Sequence, residues 1–309
     1  MELLSSKSVD KAAAERAHVS AHSPVSCLVC GSTDLAKLDS LDDGTFRQVL
    51  RCRNCLLEFV FPLVAGSNST ESAVTSPDYI QAMVTQYHFF LPRIRTLAQR
   101  RLALYTAMLG RRPVSVLEVG AGTGWMVKEY QDGGLRSVGV ELDANLVSLA
   151  HEQLGLSLIP GDITNLDVAR LGSSFDIVCS SQTLEHILAP RAALLNMAKA
   201  IRPGGIVHID VPNANSWGSR VRRIYHGKGN WGAIQLPHHQ VGYHPATLRC
   251  LFELVGFEDV SVSERPTSHT VFGQTILPTA FHSRLFIQAS KLLGHGYLLV
   301  GLARKPGGC

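Results

Sequence analysis

The sequence predicts an α/β fold, a parallel sheet with helices on both faces, preceded by a small cysteine-bearing unit. Three observations carry that prediction. Short apolar runs alternate with helical stretches between Val114 and Val211, a glycine cluster (Gly120, Gly122, Gly124) directly follows the first run, and two C-x-x-C pairs precede them both. Apolar runs separated by helical segments read as βαβ units, whose crossovers place helices on the faces of a parallel sheet.

Composition sets the outer limits. A chain of 309 residues that is 45% hydrophobic and 17% charged can bury the core of one or two domains, which excludes a disordered, collagenous or coiled-coil protein. No apolar run approaches the ~20 residues of a membrane-crossing helix. Met1 to Ser26 holds no apolar stretch of signal-peptide length, so a cytoplasmic protein with no membrane role is expected. The net charge of +4 is mild, which argues against nucleic acid as the partner. Seven cysteines in a cytoplasmic chain point to metal or redox chemistry instead of a disulfide framework.

The elements follow in order. Residues 1–23 lack periodicity and read as a mobile tail; residues 24–62 form the cysteine unit; 63–77, with Gly66-Ser67-Asn68-Ser69-Thr70, is a polar linker. Pro77 to Gly110 suits helices broken or kinked near Pro92. Strands are predicted at Val114–Val119, Ser137–Glu141, Leu158–Pro160, Phe175–Cys179 and Gly205–Val211, with late ones near Val260 and at Tyr297–Ala303. Helical stretches follow Asp143, Gln182 and Pro245.

In the cysteine unit, Cys27/Cys30 and Cys52/Cys55 are separated by 21 residues, a spacing that fits a tetrahedral thiolate zinc site. Four protein ligands would close the site, making the zinc structural, and binding would contribute on the order of 10 kcal/mol to folding. Asp42-Asp43-Gly44-Thr45 supplies a hairpin turn between the pairs. Gly31 follows the first pair as such knuckles prefer, but Leu56 follows the second. Cys179 is expected in a buried strand, Cys250 in a helix and Cys309 at the terminus.

The segment Glu118-Val119-Gly120-Ala121-Gly122-Thr123-Gly124-Trp125 is the strongest signal. Glycines after a buried strand let the backbone turn sharply and approach a ligand at the carboxyl edge of the sheet. A dinucleotide fingerprint needs a further small residue where Trp125 stands, and a carboxylate at Glu118 would sit badly beside a pyrophosphate. It suits a ligand with a cationic amino-acid portion instead.

On this loop the chain resembles the class I S-adenosylmethionine-dependent methyltransferases, and further motifs extend the resemblance. Val138-Gly139-Val140-Glu141 ends the second strand with an acid suited to ribose hydroxyls, and Gly161-Asp162-Ile163 looks like the adenine-binding turn. Phe175 to Ser181 is the fourth strand and its exit, and Arg202-Pro203-Gly204-Gly205 the turn into the fifth. The resemblance implies a Rossmann-like class I methyltransferase sheet over 78–309 behind a zinc ribbon. Its expected cofactor-binding set is Glu118, Gly120, Gly122, Gly124, Glu141, Leu142, Asp162, Ile163, Ser181 and Gln182.

Methyl transfer to an acidic O–H or C–H needs a base near neutral pKa, for which histidine is suited. His186, with Glu185 beside it, follows the fourth strand on the ligand side, where ubiquinone-type O-methyltransferases and deoxysugar C-methyltransferases carry a histidine. Metal-binding O-methyltransferases show Glu-x-x-Glu-His here; Gln182 replaces the first Glu, which argues against a catalytic magnesium. His238 and His239 precede a helix where acceptor pockets form, His239 being slightly preferred, and His244 and Pro245 open that helix. A zinc site of His238, His239 and His244 is the alternative. Arg220, Arg222 and Arg223, with Lys228, form either a solvated face or a grip on a phosphate-bearing acceptor. Tyr79, Tyr87 and His88 are candidates for a lid or for core packing. The expected partner is a small-molecule or sugar-type acceptor. The rivals are an RNA methyltransferase with a zinc ribbon and a non-catalytic cofactor-binding scaffold.

Overall fold

The structure is a computed structural model that describes residues 25–41, 46–63, 77–172, 174–224, 230–265 and 295–307, with side chains of the first long helix from residue 89 onward. The cysteine unit is an antiparallel meander of β1 (Leu35–Leu41), β2 (Arg47–Cys52) and β3 (Glu58–Phe61), with a knuckle before β1 and another between β2 and β3. The hairpin turn expected at Asp42–Thr45 lies outside the described residues, as do the tail and residues 64–76 of the linker. Helix α1 (Pro77–Leu109) then leads to the main sheet.

Of the break or kink expected near Pro92, the break is absent: Pro92 lies inside one helix that runs from Pro77 to Leu109. A mid-helix proline removes one backbone hydrogen bond, whereas the turns after it are held down by burial of Ala98, Arg101 and Tyr105 against the sheet.

The main sheet is built from β4 (Ser115–Val119), β5 (Arg136–Glu141), β6 (Ile159–Pro160), β7 (Phe175–Ser181) and β8 (Ile201–Pro212), all parallel. Every residue of β4 is buried, as expected of a strand covered on both faces. Helices α2 (Trp125–Asp132), α3 (Ala144–Leu154) and α4 (Pro190–Ala200) form the crossovers. Their ends are set by local chemistry. The Asp143 carboxylate accepts from Asn145 N at 2.8 Å at the start of α3, and Gly155 closes that helix in the left-handed conformation.

After β8 come α5 (Trp217–Ile224), the two-residue strands β9 (Asn230–Trp231), β10 (Ile234–Gln235) and β11 (Val241–Gly242), then α6 (Pro245–Val255), β12 (Glu258–Arg265) and β13 (Leu298–Arg304). The sheet order is β12-β13-β8-β7-β4-β5-β6. It is mixed, not wholly parallel: β13 runs antiparallel to both β8 and β12. Leu298 pairs with Arg265 and with Pro212, so the chain leaves β12 and re-enters β13 at the same, carboxyl edge. Re-entry without a crossover dictates the antiparallel direction.

At the opposite edge Asp176 ties three elements together, accepting from Arg111, Arg202 and Val114 N. Burial pushes this carboxyl up, but those donors outweigh it and hold it at about 2. The cysteine unit is sewn onto the main domain, since β11 pairs with β3 and one buried cluster holds Cys52, Leu57, Phe59, Tyr243 and Leu251. Among the described residues no helix is long and apolar enough to cross a membrane.

Candidate active site

The parallel strands deliver four segments to one edge. Gly120 N and Ala121 N both donate to Val140 O, which folds the glycine loop back over β5. Gly120 has φ +70°, and a Cβ there would lie 2.2 Å from Thr183 Oγ1, so only glycine lets the segment after β7 pack on the loop. Gly122 has φ +56° and open space where a side chain would be, a cradle of bare backbone. Gly124, also left-handed, starts α2.

Three acids surround this loop. Glu118 is 4% exposed, and its Oε2 is buried with no hydrogen-bond partner among the described residues. Burial pushes its carboxyl up to about 7, against the pull of Arg101. Such an orphaned acid oxygen fits a site completed by a ligand's ammonium group. Glu141 Oε2 accepts from Gly122 N at 2.7 Å and Oε1 from Asp143 N at 3.0 Å, which fixes the carboxylate while each oxygen retains a second lone pair. Asp162 Oδ1 accepts from Thr164 N at 2.8 Å in a turn of its own making. Leu142 projects 44% exposed beside Glu141, while Ile163 lies in the core. Gln182 adopts φ +52°, a left-handed conformation disfavoured for a side-chain-bearing residue, and its N donates to Asp210 O.

Sequence reasoning missed a polar chain beneath the loop. Arg101 of α1, 6% exposed, donates to Ser181 Oγ at 2.7 Å and to the Asp210 carboxylate. His208 Nε2–H donates to Asp210 Oδ1 at 2.9 Å, and the Tyr105 hydroxyl donates to His208 Nδ1 at 2.6 Å. Burial lowers the His208 pKa despite the pull of Asp210, so the ring is neutral, consistent with these donor roles. Burial opposes ionisation of Asp210, but His208 and Arg101 hold its carboxyl at about 2. Arg101 Nη1 is buried and unpartnered among the described residues, as is the nearby Glu118 oxygen. A signal existed: His208 and Asp210, two apart in the otherwise apolar run Ile206–Val211 of β8, share one face.

Past Thr183, a 3-10 turn, Leu184–His186, carries the candidate base. His186 Nδ1–H donates to His238 O at 3.0 Å, leaving Nε2 as the basic nitrogen. Its ring meets that of His239 edge to face, with centroids 4.6 Å apart. Burial lowers both pKa values, His239 to about 3 with His186 adding to the effect. Glu185 is 2% exposed, both its oxygens are unpartnered among the described residues, and burial pushes its carboxyl up to about 8.

One ligand atom each from Glu185, His186 and His239 lie within 4.8 Å of one another. Two imidazoles and one carboxylate do not make the oxygen-rich set that magnesium prefers. His238 contributes its carbonyl. His244 does not join the other histidines: it caps α6, and its Nε2 lies 3.0 Å from Glu58 Oε1. The expected alternative of a three-histidine zinc site is therefore overturned, because helix capping turns His244 toward the cysteine unit.

The four sulfurs of Cys27, Cys30, Cys52 and Cys55 also lie within 4.8 Å, with Cys27–Cys55 and Cys30–Cys52 at 3.5 Å. Tetrahedral zinc with Zn–S near 2.3 Å requires sulfurs about 3.8 Å apart, so the donor set fits. The two knuckles match: Gly31 N donates to Cys27 O and Leu56 N to Cys52 O, both residues being left-handed (φ +73° and +66°). Cys179 is buried in β7 and Cys250 lies in α6, as expected.

The arginine run is engaged internally. Arg220 donates to Asn215 Oδ1, Arg222 to Gly232 O, and Arg223 to Glu58 and Ala214 O. Lys228 and the side chains of Tyr79, Tyr87 and His88 lie outside the described residues.

Comparison with known proteins agrees with this geometry. The Methyltransferase domain family matches residues 88–262. The ubiquinone biosynthesis O-methyltransferase of Idiomarina loihiensis is 27% identical over 154 residues, 48% of this chain and 63% of that protein. The malonyl-[acyl-carrier protein] O-methyltransferase of Pectobacterium atrosepticum is 31% identical over 39% of this chain and 46% of its own length. The demethylmenaquinone methyltransferase of Renibacterium salmoninarum is 34% identical over 29% and 38%. This chain thus spans less than two thirds of each relative. Among solved structures, the plantazolicin methyltransferase BamL, in complex with a triazolic desmethylPZN analog and SAH, superposes with a TM-score of 0.52 at 16% identity, covering 78% of this chain and 96% of that one. That likeness establishes a shared fold. A five-stranded parallel core with a glycine loop at its carboxyl edge, an antiparallel strand inserted beside β8, and a family match over more than half the residues lead to one conclusion: the chain belongs to the methyltransferase domain family.

Proposed function

We propose that this protein transfers a methyl group from S-adenosylmethionine to an oxygen or carbon of a small acceptor bearing an acidic proton, with His186 as the general base. The observation that carries the proposal is the packing of Thr183 on Gly120, which brings the His186 turn against the glycine loop. When bound, S-adenosylmethionine supplies an electrophilic methyl carbon. The chain's residues do the rest.

Glu118 Oε2 would receive the ammonium group and Arg101 Nη1 the carboxylate, a zwitterion answered by two buried groups that lack partners among the described residues. Glu141 would accept from the ribose hydroxyls and Asp162 from the purine amine, with Leu142 against the ring. His186 Nε2, with its other nitrogen fixed by His238 O, would take the acceptor's proton as the acceptor attacks the methyl carbon in line. Burial keeps His186 unprotonated at neutral pH, which suits phenols, enols and carbons beside a carbonyl. Glu185 and His239 would line the acceptor side. In the cysteine unit, the four thiolates would hold one structural zinc.

The test is transfer of labelled methyl from S-adenosylmethionine to a panel of phenols, quinols and 1,3-dicarbonyl compounds. Transfer abolished in His186→Gln, with cofactor binding intact, supports the proposal. Undiminished transfer in that variant refutes the base. Brief dialysis against EDTA, with metal analysis showing that the four-thiolate zinc stays bound, separates a base from an exchangeable metal: a base-driven reaction retains its rate, while a metal held by Glu185, His186 and His239 would be lost.

A further inference from the structure

The cysteine unit is built into the acceptor side of the domain. Strand β3 pairs with β2 on one edge and β11 on the other, Val241 facing Phe59 and Gly242 facing Glu58, and Val60 N donates to Gln240 O. Strand β11 directly follows His238 and His239, the two residues that contact His186. Thr247 Oγ1 in the first turn of α6 donates to Cys55 O at 2.7 Å, tying a candidate metal ligand to the helix that follows the histidine segment.

At the centre lies Glu58, fully buried on β3. Its Oε1 accepts from Arg51 within the cysteine unit, from Arg223 Nη2 at 2.7 Å and from His244 Nε2 at 3.0 Å. Arg223 also donates to Ala214 O and lies 4.7 Å from the Trp231 ring centroid. Trp231 and His244 bracket the segment bearing His238 and His239. One carboxylate therefore holds that segment directly at His244 and, through Arg223, at Trp231. Within it, Gln235 and His239 exchange backbone hydrogen bonds, and among the described residues the two-residue strands β9 and β10 form a separate two-stranded sheet. Strands this short have little stability of their own; the segment takes its shape from what it is fastened to.

We propose that the metal-loaded cysteine unit is the fixed wall that holds the His238–His239 segment against His186, with Glu58 as the positioning residue that transmits the order. The inference rests on His186 being the acceptor-side base. Metal binding folds the knuckles; the knuckles fix β3 and the Cys55 carbonyl; β3 and Glu58 fix β11, Arg223 and His244; these fix His239. By linkage, order in the histidine segment and metal affinity strengthen each other.

The test uses the full chain and reads amide hydrogen exchange, with S-adenosylhomocysteine binding measured alongside by calorimetry. Stripping zinc with a chelator under reducing conditions, or substituting Glu58→Gln in zinc-loaded protein, should raise exchange in 236–243 at least ~10-fold while amides of β7 and β8 hold theirs. Affinity for S-adenosylhomocysteine should change less than ~3-fold, because no cofactor contact is touched. If Glu58→Gln fails to fold, Thr247→Ala, which removes the tie to Cys55 and the acceptor for His244 N, should give the same pattern at about threefold. Unchanged exchange in 236–243 overturns the proposal, as does an equal rise across β7 and β8, which would make the unit a general support. If the native protein binds no S-adenosylhomocysteine, the methyltransfer proposal fails, while the exchange pattern still decides the coupling.

Discussion

The imidazoles of His186 and His239 meet edge to face, with centroids 4.6 Å apart and planes at 77°. The two residues come from separate segments, and the donation of His186 Nδ1–H to His238 O sets the tautomer. This arrangement defines how the site should respond to pH. The base works deprotonated, and burial places the His186 pKa below its ordinary 6.5. Methyl transfer should therefore rise with pH below that value and be level by about pH 7. His186→Gln should lower kcat about 10²- to 10⁴-fold while leaving affinity for S-adenosylhomocysteine within about threefold. Initial rates against pH check both.

Glu185 should make the ligand-free protein less stable in alkali. Its folded pKa of about 8 stands above the ordinary 4.5, so the folded state binds the proton more tightly than the unfolded state. Its contribution is greatest at acid pH, declines as pH rises from about 4.5 to 8, and is then level. Glu185→Gln keeps the shape and removes the ionisation. It should raise stability at pH 8.5 by about 1–3 kcal/mol, with little change at pH 5. Thermal melts at the two pH values decide it; equal shifts at both would contradict the assignment.

Leu56 holds a conformation that glycine holds in the sister knuckle, φ +66° against +73° at Gly31. The left-handed region costs a side-chain-bearing residue about 1–2 kcal/mol, partly offset by the greater unfolded-state freedom of glycine. Leu56→Gly should stabilise the metal-loaded protein by about 0.5–1 kcal/mol. Chemical denaturation in excess zinc measures it, and a loss of stability would mean that Leu56 packing outweighs the strain.

Arg101 carries a prediction about the cofactor. Arg101→Lys keeps the charge beside Asp210 but loses the planar fork that reaches Ser181 and Asp210 while leaving Nη1 over. Affinity for S-adenosylhomocysteine should fall about 10- to 100-fold, the worth of a charge-assisted hydrogen bond. Calorimetry reads this directly, with a melting curve to confirm folding.

Much of this was legible in the sequence because it rests on local rules. The run Val114–Val119 followed by glycines marks a strand and a tight loop, Asp143 opens a helix, and C-x-x-C pairs mark knuckles. What escaped depends on long-range pairing. Val241–Gly242 is too short to announce itself as a strand, yet it joins the cysteine unit to the main domain. Arg101 is one of several arginines in α1, and only the register of that helix against β8 selects it for Asp210. His244 reads as a ligand or a cap with equal ease until Glu58, 186 positions away, draws its ring aside. The break expected at Pro92 is absent because proline weakens a helix only locally, while burial further along maintains it.

The central claim is that the glycine loop, Glu118 and Glu141 form a site for an S-adenosyl nucleoside, and calorimetry with S-adenosylhomocysteine tests it most directly. The account predicts 1:1 binding in the micromolar range, about −8 kcal/mol. It also predicts at least ~10-fold weaker binding in Gly122→Val, whose side chain would fill the cradle, and no heat with NAD. A folded protein that gives no heat with S-adenosylhomocysteine, or that binds NAD in its place, would contradict it.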